Sequence, residues 1–226
     1  MIRNFIQPSF AFGKSWASFD LVSDIEWFDL RRSENWELYR NTWWAMWRVL
    51  GFFILPAIAI KFRKQKVRDF GLETKGFLEH LWIYGLCLGV VLLCVVIVSY
   101  DEHFQTYYPF YRNSSRSWLD FISWELLYAA QFFSLEFFFR GWFLQGMKRS
   151  MGSQAIFVMM LPYVMIHFGK PMIETVGAIV AGVVLGTLAM KTRSIWSGFL
   201  IHVSVAVSMD LASMVQRDAL PSIFSP

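Results

Sequence analysis

The chain has 226 residues, 56% of them hydrophobic and only 17% charged, and it carries a formal net charge of +4 at pH 7. A soluble domain of this length keeps a more charged surface, so the composition argues against that class. The cations stand at the ends of apolar runs, as in the cytoplasmic loops of membrane proteins, and we therefore expect no nucleic acid among the partners.

The apolar runs predict an all-α polytopic membrane protein. A helix needs roughly 20 apolar residues to cross a bilayer, and the chain is long enough for about six such spans with short loops. In chain order, we predict spans at about residues 43–60, 80–100, 118–140, 155–167, 174–190 and 195–214. Basic clusters at 61–68, 148–149 and 191–193 then share one side, which the positive-inside rule makes the cytoplasmic side.

This arrangement divides the chain into segments. Residues 1–40 are expected to form an interfacial or loop region, and residues 41–68 the first transmembrane helix with its basic cytoplasmic segment. Residues 69–214 form the membrane core, and residues 215–226 a C-terminal tail. We expect a multi-pass protein of a plasma (inner) membrane, with the lipid bilayer as one partner and both termini opposite the basic clusters.

Small residues recur in the fifth predicted span. Ala178, Gly182 and Gly186 stand at every fourth position, a spacing that lets a second helix pack closely. We expect plain helix packing along this face and assign it no catalytic role.

A few ionisable residues fall within or at the ends of the predicted spans, where an unpaired charge costs several kcal/mol. They are Asp120, Glu125, Glu136, Arg140, His167, Glu174, His202 and Asp210. Glu136 and Arg140 stand one helical turn apart and can pair on the same helix face. This pairing would keep the carboxylate ionised and hold its side chain in place.

His167 and His202 lie on two other predicted helices, at depths that allow both to meet Glu136 in a cavity open to the cytoplasm. A glutamate with two histidines suits two chemistries. The glutamate, helped by one histidine, can act as general base on a water while the other histidine stabilises an oxyanion. Alternatively, the three side chains can bind Zn²⁺ and leave a fourth position for water, although no HExxH spacing is present.

At three places the chain resembles the CAAX protease and bacteriocin-processing family of intramembrane proteases, also called CPBP or Abi. The family's motifs are Glu-Glu-x-x-x-Arg, Phe-x-x-x-His and His-x-x-x-Asn, on separate helices. Here "LEFFFRG" stands at the first, "YVMIH" at the second and "HVSVA" at the third, in the same order. The resemblance covers about residues 70–214 and implies a CAAX-protease-like bundle of membrane helices.

The chain departs from the family's motifs at three positions. Leu135 replaces the first glutamate, which usually has the water-activating role in the family, and Ala206 replaces the asparagine, a candidate oxyanion donor. Tyr163 stands where phenylalanine is usual, a mild change that makes it a supporting residue. Asp210, one turn beyond Ala206, is a second supporting residue that either orients His202 or caps a polar network near the far interface.

The resemblance implies an intramembrane endopeptidase acting on membrane-associated proteins or on prenylated and leader-type peptides. In this interpretation Glu136 is the base, His167 assists it, His202 stabilises the oxyanion and Arg140 holds Glu136. No cofactor is required, and Zn²⁺ stays an alternative. Because two motif residues are replaced, a catalytically inactive scaffold or binding protein is the second hypothesis. A small transporter with a proton relay is a weaker third, since no inverted repeat is detectable.

Overall fold

The computed structural model describes residues 34–170 and 172–225, where the chain forms helices joined by short turns. Residues 1–33, most of the predicted interfacial region, lie outside the described residues. In chain order, the helices are α1 (Trp36–Phe62), α2 (Lys75–Glu79), α3 (Leu81–Val98), α4 (Glu102–Tyr107), α5 (Trp118–Glu136), α6 (Leu144–Met151), α7 (Ala155–Met165), α8 (Met172–Thr192) and α9 (Trp196–Gln216). A π-helical turn, Leu50–Ile54, lies within α1, and a π-helical stretch, Phe137–Phe143, joins α5 to α6.

Among the described residues, four helices are long and apolar enough to cross a membrane, namely α1, α3, α8 and α9. This finding confirms the all-α polytopic membrane class. The total of about six spans stays a prediction, because α7 has only 11 residues and α5 carries charged side chains. Apolar side chains such as Leu86, Leu93 and Ile97 point outward from α3, as contact with lipid requires.

Two boundaries differ from the predicted ones. The α1 helix begins at Trp36, so residues 36–40 are helical, although Glu37 and Arg40 gave this stretch the composition of a loop. The helical backbone that starts with α5 does not end near residue 140 but continues to Met151. It ends where Gly152 adopts φ +56°, a left-handed conformation that glycine tolerates best.

The short segment before α2 ties two parts of the membrane core together. Ile195 N–H donates to the Gly71 carbonyl at 2.9 Å, and Trp196 Nε1 donates to the Leu72 carbonyl at 3.1 Å. A Cβ on Gly141 would clash with the Phe70 carbonyl, so the π-helical stretch approaches the same segment closely. This segment therefore fixes the start of α9 relative to the π-helical stretch.

The α7 and α8 helices pack through the small residues of α8, as predicted. A Cβ on Gly182 would lie 2.8 Å from Met160 Cγ and 3.3 Å from Tyr163 Cδ1. A Cβ on Gly186 would lie 2.9 Å from Met159 Cε. These contacts bring α7 close to α8 and hold Tyr163 at the centre of the bundle, where it is 1% exposed.

We predict that Gly182→Val destabilises the protein, because the added methyl groups meet Met160 and the Tyr163 ring. Overpacking of this kind costs about 1–3 kcal/mol. The measurement is thermal unfolding of the purified protein in detergent. Gly177→Val on the same helix is the matched control, since a Cβ at Gly177 meets no atom within 4 Å. Equal loss of stability in both variants would contradict this account of the packing.

Candidate active site

Glu136 and Arg140 form a fully buried ion pair at the junction of α5 with the π-helical stretch. Both residues are 0% exposed, and Arg140 Nη1 lies 2.8 Å from Glu136 Oε1. A π-helical turn is wider than an α-helical turn and is frequent at functional sites. The predicted pairing of the two side chains is therefore present, and it compensates a carboxylate that the surrounding apolar core alone would disfavour.

His202 brings α9 to the same carboxylate. Its Nδ1 lies 3.0 Å from Glu136 Oε1, and its ring stacks on Phe132 of α5 with 5.3 Å between the ring centroids. The stacking leaves the imidazole little freedom to turn away from Glu136. The His202 side chain remains 16% exposed, so it is the more accessible partner of the buried pair.

Tyr163 of α7 contacts both His202 and Arg140. The tyrosine hydroxyl lies 2.9 Å from His202 Nε2, and the Arg140 guanidinium stands 3.9 Å above the centre of the tyrosine ring. An unprotonated Nδ1 would turn its lone pair towards the Glu136 carboxylate, so we assign the proton to Nδ1. In a neutral imidazole Nε2 is then an acceptor, and the Tyr163 hydroxyl donates to it.

The Glu136 carboxylate keeps unused capacity to accept hydrogen bonds. Arg140 and His202 both contact Oε1, and Oε2 accepts no hydrogen bond from the part of the chain that the structure describes. A Cβ on Gly198 would lie 2.7 Å from Glu136 Cδ, so only glycine leaves room for the carboxylate beside α9. Buried polar atoms without a partner are uncommon and are often functional.

His167 lies beyond the end of α7 and does not pair with Glu136. Its Nδ1 donates to the Tyr163 carbonyl at 2.9 Å, and its ring centroid is 4.8 Å from that of Tyr163. The carbonyl fixes the proton on Nδ1, which leaves Nε2 as an acceptor. His167 is therefore a neighbour of the cluster through Tyr163, whereas the sequence predicted a direct meeting with Glu136.

Asp210 belongs to a separate polar network farther along α9. Its carboxylate accepts hydrogen bonds from Trp124 Nε1 at 3.0 Å and from the Phe110 backbone N–H at 3.3 Å. Both ring nitrogens of His202 already face Glu136 and Tyr163, so Asp210 does not orient this imidazole. Of the two roles considered for Asp210, capping a polar network is the one that its contacts support.

Two further carboxylates, Asp120 and Glu174, have local partners. Asp120 pairs with Arg116 at 2.7 Å. Glu174 accepts a hydrogen bond from the Tyr108 hydroxyl at 2.9 Å and pairs with Lys170 at 3.3 Å. Burial, and then the nearby Glu174 carboxylate, hold the pKa of Tyr108 well above its usual range, so this hydroxyl stays a donor. These contacts agree with a structural role at helix ends.

The two replaced motif positions lie in different surroundings. Leu135 is 4% exposed and packs in the apolar cluster that includes Phe139 and Met159. Ala206 packs with Trp44 and Trp124 in an aromatic cluster. Neither site holds a polar substitute of its own, so any hydrogen-bond donor for an oxyanion must come from another residue.

The predicted trio of Glu136, His167 and His202 does not fit a metal ion. In the described ranges, no three His, Cys, Asp or Glu side chains converge as ligands. His202 has both nitrogens directed at Glu136 and Tyr163, and His167 turns Nδ1 to a carbonyl. The arrangement instead suits proton transfer, with a carboxylate, an imidazole and a hydroxyl in contact.

The roles of three residues in this site were not apparent from the sequence. Tyr163 was expected to be a mild replacement, yet its hydroxyl and ring join His202 to Arg140. Gly198 and Phe132 were not identified, although one accommodates the carboxylate and the other stacks on the imidazole. The spacing of Gly198, one turn before His202 on α9, is the signal that was available for it.

The family model described as type II CAAX prenyl endopeptidase Rce1-like matches residues 116–208. The matched segment contains Glu136, Arg140, Tyr163, His167 and His202, and it ends before Asp210. No curated protein and no solved structure matched the chain.

We predict that Arg140→Met destabilises the protein strongly, because it leaves a buried Glu136 without its counter-charge. Removing one partner of a buried pair costs about 3–5 kcal/mol. The Glu136→Met/Arg140→Met double variant should lose less stability than Arg140→Met alone, since no buried charge is left unpaired. Unfolding of the three proteins in detergent measures this difference. A double variant less stable than Arg140→Met would contradict the pairing.

Proposed function

We propose, from the match of segment 116–208 to the family of type II CAAX prenyl endopeptidases, that this chain is an intramembrane endopeptidase with Glu136 as its general base. The observation that carries the proposal is the meeting of a buried carboxylate, a guanidinium, an imidazole and a tyrosine hydroxyl, contributed by α5, the π-helical stretch, α9 and α7. Such groups are costly inside a membrane protein and mark functional sites there.

The reaction is hydrolysis of a peptide bond. Glu136 takes a proton from a water molecule while the water oxygen attacks the scissile carbonyl carbon. The proton then passes to the leaving nitrogen as the C–N bond breaks, which gives a free carboxyl group and a free amine. Arg140 keeps Glu136 ionised before the reaction, and His202 holds the carboxylate in position.

Tyr163 supplies the oxyanion donor in this proposal. The family's asparagine is Ala206 here and cannot donate, whereas the usual phenylalanine is Tyr163 and brings a hydroxyl to the site. A hydroxyl that donates to His202 Nε2 can turn to a developing oxyanion with a small torsional change. The tyrosine in the second motif thus compensates for the alanine in the third motif.

The roles of the histidines change accordingly. The sequence suggested that His167 assists Glu136 and that His202 binds the oxyanion. The contacts favour His202 as the partner of Glu136, because its Nδ1 lies 3.0 Å from Oε1. His167 Nε2 is left as an acceptor beside Tyr163, where it can relay the proton towards the leaving amine.

The substrates follow from the family and from the bilayer. We propose membrane-associated proteins or peptides of the prenylated or leader type, cleaved in or near a plasma (inner) membrane that the chain crosses several times. The mechanism proposed here assigns no step to a metal ion.

A non-catalytic scaffold or binding protein is the second candidate function. Leu135 stands at the position of the family's first glutamate and is buried among apolar side chains. A protein that lost this carboxylate and kept the remaining cluster for its fold would show the same packing. The two functions differ in one observable, the formation of new protein N-termini.

The first test compares new protein N-termini in membranes from cells that express the wild type or Glu136→Gln at matched levels. We expect termini that form only with the wild type, because glutamine cannot accept the proton of water. Glu125→Gln is the matched control, a half-buried carboxylate on the same helix outside the cluster, and it should give the wild-type termini. Identical termini with Glu136→Gln, in a protein that is inserted and folded, would favour the scaffold.

A second prediction concerns the hydroxyl of Tyr163. Tyr163→Phe should lower the cleavage rate of a substrate found in the first test by about 10²–10³-fold, the usual effect of removing one oxyanion donor. The aromatic ring under Arg140 stays in place. Tyr84→Phe is the control, since the buried Tyr84 hydroxyl has no hydrogen-bond partner among the described residues. An unchanged rate would mean that another group binds the oxyanion.

A further inference from the structure

A basic groove opens at the end of the bundle where α1 ends and α6 runs. Its volume is about 1080 Å³. The cations that line it come from all three basic clusters of the sequence, and they are Arg63, Lys64, Lys66, Lys148, Arg149 and Arg193. The fold therefore gathers charges that are far apart in the chain into one concave site.

The part of the chain that the structure describes offers little compensation for the groove's charge. In residues 34–170 and 172–225 none of its cations pairs with a carboxylate, and Asp69 is the acidic residue that lines it. Lys148 is held in place because its Nζ donates to the Met190 carbonyl at 2.9 Å. An anionic ligand would therefore meet several cations that have no competing partner.

The backbone adopts an unusual conformation at two of these cations. Lys64 has φ +57° and Arg193 has φ +54°, in the left-handed region that residues other than glycine rarely occupy. Lys64 follows the end of α1 and Arg193 follows the end of α8, where a left-handed residue commonly terminates a helix. These two helix ends therefore place both cations at the same groove.

The depth and the lining of the groove indicate the kind of anion. It lies at the ends of helices on the side that the positive-inside rule makes cytoplasmic, the level at which lipid headgroups stand. Trp142, Phe143 and Met147 also line it, and the neighbouring Phe62 is 84% exposed at the end of α1. Cations above apolar side chains match a phosphate group above its acyl chains.

We propose that this groove binds the headgroup of an anionic phospholipid. The lipid phosphate pairs with the groove's cations, and its acyl chains lie along the apolar side chains below them. A bound lipid then joins the end of α1, the α6 helix and the turn before α9. This site is separate from the peptidase proposal, although Trp142 follows Arg140 by two residues on the π-helical stretch.

The test titrates phosphatidylglycerol into the purified full chain in detergent micelles and follows thermal unfolding. We expect phosphatidylglycerol to raise the melting temperature more than phosphatidylcholine does. Arg63→Gln/Lys66→Gln/Arg193→Gln should weaken the apparent affinity by about fivefold for each cation removed, the contribution of one lysine or arginine near a membrane surface.

The matched control is Lys61→Gln/Arg68→Gln/Lys191→Gln, which removes the same charge at the same end from residues that do not line the groove. It should keep the wild-type response. Lys64→Gly/Arg193→Gly is a second groove variant that preserves folding, because glycine accepts the left-handed conformation at both positions. This variant should also weaken the response.

Several results would overturn the proposal. Equal responses in the groove and control variants would mean that general surface charge attracts the lipid. Inorganic phosphate that matches the effect of phosphatidylglycerol would indicate a site for small anions. An acidic peptide that stabilises the wild type when phosphatidylglycerol does not would indicate a peptide site.

Discussion

The buried pair of Glu136 and Arg140 is the constraint on which the rest of the structure depends. Two full charges inside an apolar bundle are tolerated only if their partners come from several directions. Tyr163 covers the guanidinium, and His202 reaches the carboxylate. The α5, α7 and α9 helices are therefore held at fixed relative positions by the need to compensate one charged pair, which also makes those positions suitable for proton transfer.

The π-helical stretch connects the buried charged pair to the basic groove within one element. Its first residues follow Glu136 directly, and Trp142 and Phe143 at its end line the basic groove. Gly141 between them allows close contact with the Phe70 carbonyl, and the same segment binds the start of α9 through Gly71. A displacement at the basic groove would thus reach the charged pair through residues that are directly bonded or hydrogen-bonded to it.

The sequence predicted those features that depend on the spacing of residues within one helix. The separation of Glu136 and Arg140 fixes their pairing on one helix, and the apolar runs fix the long helices. Contacts between helices could not be predicted, because they depend on rotation and depth that one sequence does not reveal. For this reason His167 was expected beside the carboxylate and Asp210 had two open roles. The continuation of the helix to Met151 was missed because no residue pattern in the sequence distinguishes the π-helical stretch.

Gly198 limits how this molecule can move. Glu136 lies directly against the α9 backbone at this residue, and successive residues of a helix point about 100° apart. A rotation of α9 by one residue would drive the side chain of Ser197 or Phe199 into the carboxylate. The α9 helix is therefore locked in register against the end of α5.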